Sequence, residues 1–127
     1  MKPGFVCAAA LAVLLAGAGV AVAEDMFPNG CVSCHTESAD GDMRLGPLLE
    51  QLGHKKIDKM VETVPGDCME CHSEDGGFGE LYEYIHPAHF DDAATNKFVV
   101  GFEGKCTHCH AIGEDGEMPV KSGAKNW

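Results

Sequence analysis

The hydrophobic and polar positions divide the chain into stretches of different character. From Pro3 to Ala23 no charged residue interrupts a run rich in Ala, Val, Leu and Gly; Lys2 precedes the run and Glu24 follows it. Between Pro47 and Val64, the residues Leu48, Leu49, Leu52, Ile57, Met60, Val61 and Val64 recur at helical spacing. This predicts an amphipathic helix over that stretch, bent or divided at Gly53. A weaker helix is predicted after His86, with Pro87 in its first turn and Ala88-His89-Phe90-Asp91-Asp92-Ala93-Ala94 continuing it. The run Lys97-Phe98-Val99-Val100-Gly101-Phe102 reads as a short strand. Elsewhere periodicity is poor, and Gly-rich acidic loops fill the gaps at 38–42, 74–77 and 113–117.

The first run has the form of an export signal. A positive end is followed by an apolar stretch, and Ala21-Val22-Ala23 has the small-x-small form of a cleavage site. The expected organisation is a signal peptide over residues 1–23 and one domain over 24–127, placed in the periplasm or outside the cell. An uncleaved signal would be the sole contact with a membrane. Cys7 leaves with the signal.

Charge narrows the partners. The chain carries 9 Lys+Arg against 20 Asp+Glu, a net of −11. Removing residues 1–23, whose one charged side chain is Lys2, makes it −12. That balance excludes nucleic acid and anionic membrane surfaces as partners. It favours protein partners with a basic docking face, bound through contacts that weaken with salt.

The six remaining cysteines fall in one pattern three times: Cys31-Val32-Ser33-Cys34-His35, Cys68-Met69-Glu70-Cys71-His72 and Cys106-Thr107-His108-Cys109-His110. Each is C-x-x-C-H, the attachment pattern of c-type haem. Two thiols form thioethers to the haem, and the adjacent His reaches the iron from one face. Zinc prefers paired C-x-x-C units and leaves one unit over. A disulfide framework gives no reason for His after every second Cys. The pattern therefore predicts three covalently attached haem c groups on Cys31, Cys34, Cys68, Cys71, Cys106 and Cys109.

Counting imidazoles extends the reading. His35, His72 and His110 fill three of six axial positions. His54, His86 and His89 lie outside the motifs and match the three that remain, so the expected metal ligands are these six. His86 and His89 are three apart, close enough on a helix to serve two neighbouring groups. His54 sits at the edge of the apolar stripe of the first predicted helix. His108 is spare, or a substitute if His54 does not ligate.

These features resemble the small multihaem c-type cytochromes, in particular the trihaem and tetrahaem class III (c3/c7-like) proteins. The resemblance rests on the three C-x-x-C-H motifs, the histidine count and the His86-Pro87-Ala88-His89 pair. Two departures stand out: in that family the His-x-x-His pair precedes the first motif, and its carriers are often lysine-rich. The implied fold is mainly α with much irregular structure, wrapped around three haems. The implied role is electron transfer between redox partners through closed bis-His haems rather than catalysis. The alternatives are a subunit of a haem polymer, in which the tail ending in Lys125-Asn126-Trp127 reaches a neighbour, and a small reductase with one open iron.

Overall fold

A computed structural model describes residues 23–127; the predicted signal at 1–23 and Cys7 lie outside the described residues, save Ala23. Along the chain run α1 (Cys31–Cys34), β1 (Glu37–Ser38), β2 (Gly41–Asp42), α2 (Leu45–Gln51), a 3-10 turn (Ile57–Lys59), β3 (Thr63–Val64), α3 (Cys68–Cys71), α4 (Tyr82–Phe90), α5 (Lys97–Phe102), a second 3-10 turn (Cys106–His108) and β4 (Gly123–Ala124). The longest helix has nine residues. Among the described residues no helix is long and apolar enough to cross a membrane.

The fold expectation needs correction. Helix accounts for about a third of the described residues, an ordinary share for any globular chain. Two antiparallel ladders accompany it: β1 with β2 (Glu37 opposite Asp42) and β3 with β4 (Thr63 opposite Ala124, Val64 opposite Gly123). The architecture is mixed, with short helices and short strands, and is not a mainly α fold.

Individual elements show why. The predicted Pro47–Val64 helix is cut into three pieces. Gly53 adopts φ +93° and Lys56 φ +70°, conformations that end a right-handed helix. The chain then passes through a 3-10 turn into β3. The predicted strand at 97–102 is the helix α5. Asn96 caps it, its side chain accepting from Phe98 N at 3.0 Å, while Glu103 and Gly104 close it at φ +60° and +57°. A cap at each end outweighs the β preference of two valines. The helix expected after His86 begins four residues earlier, so Pro87 lies in its interior.

The core is very small. Val32, Val61 and Val64 are buried, with Cys31, Leu45, Ile57, Cys68 and Trp127 packed partly against them. Among the described residues no large side chain is fully enclosed, and Met26, Leu52, Met60, Phe78, Val100 and Ile112 are largely exposed. Three buried valines at about 1.5–3 kcal/mol each contribute about 5–9 kcal/mol of hydrophobic stabilisation.

The C-terminal segment holds these parts together. Lys121 N donates to Cys109 O and Lys125 N to Glu62 O, both at 2.8 Å. Trp127 lies over Gly46, where an added Cβ would stand 3.1 Å from the indole side chain. Residues 121–127 are thus hydrogen-bonded to and packed on their own chain.

Candidate functional site

Each C-x-x-C-H segment forms a single helical turn. The motif His amide donates to the first Cys carbonyl every time: His35 to Cys31 and His72 to Cys68 at 2.9 Å, and His110 to Cys106 at 2.8 Å. In such a turn residues three and four apart are neighbours. The second Cys and the His therefore lie on the same side as the first Cys. Spacing alone dictates this much.

The tertiary structure then brings a second imidazole to each turn. His35 and His89 have ring centres 5.9 Å apart, His54 and His72 6.0 Å, and His86 and His110 6.3 Å. Every pair joins one motif His to one outside the motifs. The loop that divides the predicted first helix carries His54. Helix α4 carries His86 and His89, which turn to the third and the first motif respectively.

Three of these rings have a defined tautomer. Nδ1 of His35 lies 2.9 Å from Met43 O, that of His89 2.8 Å from Ile85 O, and that of His110 2.7 Å from Met118 O. A carbonyl can only accept, so Nδ1 is the donor in each case, and in the neutral form of the ring Nε2 holds the lone pair. Burial lowers the pKa of His35, against the raising effect of its bond to Met43. His54 and His72 keep Nδ1 buried without a protein partner.

All six cysteines are free of disulfides. Burial, helped by the nearby Cys109, pushes the Cys31 thiol up to about 11. Cys34, Cys68 and Cys109 are also raised, chiefly by burial. Thiols held protonated at neutral pH are poor nucleophiles and poor redox switches. A shallow, open depression lies between His86 and Cys106, bordered by Pro87, Phe90 and Asp91.

His108 belongs to none of the pairs. It is buried against Phe27, with ring centres 4.3 Å apart, and edge-on to Phe98 and Phe102. Sequence reasoning missed three residues that hold the motifs in place. Asp67 accepts from Glu62 N at 2.7 Å and Thr63 N at 2.8 Å just before the second motif. Lys121 Nζ donates to Thr107 O at 2.6 Å inside the third. Asn126 Nδ2 donates to His35 O at 2.8 Å at the end of the first. No spacing rule marks them, because their partners lie in backbone brought near only by folding.

The expected metal chemistry requires a correction. Among the described residues, no group of three or more His, Cys, Asp or Glu is placed to hold a metal ion. Imidazoles meet in twos, and no third side chain joins them. Two donors do not complete a coordination shell, so the polypeptide builds no metal centre of its own. The expectations of a trihaem c-type cytochrome, of three haem c irons and of haem-borne electron transfer therefore find no protein-built metal centre to support them. No family model, curated protein or solved structure matches the chain. The c3/c7-like resemblance is thus not extended beyond the motifs that suggested it.

Proposed function

We propose that the chain is an exported binding protein rather than an enzyme. Its three imidazole pairs, His35 with His89, His72 with His54, and His110 with His86, form three similar sites. Each lies beside the thiols of one motif, Cys31 and Cys34, Cys68 and Cys71, or Cys106 and Cys109.

The threefold recurrence carries this reading: in each of the three pairs the ring centres stand 5.9, 6.0 or 6.3 Å apart beside one C-x-x-C-H turn. The acidic mature surface would favour a basic docking face on a protein partner, bound less tightly as salt rises.

Mass of the purified protein under native and denaturing conditions tests the reading. Three equal added masses are expected under native conditions. A chain that keeps the bare polypeptide mass would refute the proposal.

A further inference from the structure

The three dithiol turns share one spacing but stand in different surroundings. Cys31 and Cys68, the first thiols of the first two motifs, are partly buried against the valine core. Neither Cys106 nor Cys109 belongs to that cluster; Cys106 is exposed and Cys109 half-buried. Both side chains of the third motif can therefore turn without disturbing the core. Cys106 also borders the open depression beside His86, Pro87, Phe90 and Asp91, so small molecules have access to it.

Local geometry brings the two thiols of this motif together. Cys106–His108 is a 3-10 turn, and Cys109 N donates to Cys106 O at 3.1 Å. Such a turn sets residues three apart one above the other, about 6 Å apart along its axis. A disulfide spans Cα separations of roughly 4.4–6.8 Å. Lys121 opens the C-terminal strap, residues 121–127, and its Nζ donates to Thr107 O at 2.6 Å, within the same turn. Burial raises the Cys109 thiol, and the Lys121 ammonium works against that rise, favouring the thiolate that exchange requires. Cys109 also neighbours Cys31. Cys31 packs on the core, however, and a bridge to it would close a long loop rather than a single turn.

We propose that the third motif is a thiol–disulfide exchange site for low-molecular-weight disulfides, with Cys106 as the attacking thiol and Cys109 as the resolving one. The Cys106 thiolate attacks one sulfur of the small disulfide, breaks its S–S bond, forms a mixed disulfide and releases one thiolate. Cys109 then attacks the Cys106 sulfur, closing the Cys106–Cys109 bond and releasing the second thiolate. The two thiol protons pass to the two released thiolates. The motif loses two electrons and the small disulfide gains them. This exchange uses the two sulfurs alone and goes beyond the binding assigned to the imidazole pairs.

The test adds oxidised glutathione to the purified, pre-reduced protein, quenches with iodoacetamide at intervals and maps each motif by peptide mass. The third motif should lose two hydrogens, and with them its alkylation sites, at least about tenfold faster than the first or second. Cys109→Ser should stop the sequence at one glutathione held on Cys106. Cys106→Ser should leave Cys109 as slow as the thiols of the other motifs. Equal rates in all three motifs, no oxidation of the third, a bridge from Cys109 to Cys31, or third-motif thiols already capped before oxidation would overturn the assignment. The wild-type rates alone decide between these results if a variant folds poorly. Bare polypeptide mass under native conditions would instead refute the binding reading and leave the exchange site standing.

Discussion

Replacing Val64 with Ala probes the smallest part of the structure with the largest consequence. Val64 is 3% exposed, packs with Val32 and Val61, and sits in β3 opposite Gly123. The change removes two methyl-sized groups from a buried site. At about 0.8 kcal/mol per buried carbon the transfer term is roughly 1.6 kcal/mol. Incomplete collapse of the space adds up to about 1 kcal/mol, at about 24 cal/mol per Å³ of residual cavity. The expected loss is about 2–3 kcal/mol from a total that is typically about 5–15 kcal/mol. Because Val32 lies between Cys31 and Cys34, the same loss should loosen the first motif turn. Urea unfolding of the protein should show a midpoint lower by about 1–2 M. A change below about 0.5 kcal/mol, the range of surface substitutions, would show that this valine cluster is not the core.

Other expected outcomes follow from single residues. Gly123→Ala should destabilise by about 1–3 kcal/mol in the same unfolding assay, since the new Cβ would stand 2.6 Å from Val32 Cγ2 and 2.7 Å from Asn29 Cβ. Asn96→Ala should cost about 1 kcal/mol and raise amide exchange at Phe98, because it removes the cap of α5. It also cuts the bonds from Asn96 Nδ2 to Ala88 O and Asp91 O that tie α5 to the end of α4. Asp42 should titrate at about 2 rather than 3.8 by carboxyl NMR, held down first by the hydrogen bond from the Arg44 side chain. Its pKa is depressed in the folded state, so its small contribution to stability is present above pH 3.8 and lost as pH falls toward 2. Arg44→Met should return the midpoint toward 3.8 and remove that part of the pH dependence.

The amino-acid sequence by itself determined the local shape of the three motifs. C-x-x-C-H sets two thiols and an imidazole on one helical turn whatever the surroundings, because the i, i+3 and i+4 relation is local. The three histidines outside the motifs were visible by counting. Tertiary structure decided which imidazole meets which, since His35 and His89 lie far apart in the chain and only the course of α4 brings them to 5.9 Å. It also decided the fate of two elements whose periodicity misled. Positive φ at Gly53 and Lys56 broke the long helix, and the Asn96 cap turned a β-like run into α5. The C-terminal strap was invisible beforehand. Asn126 and Lys121 act on backbone carbonyls, which carry no side-chain pattern, and such partners exist only after the chain has closed on itself.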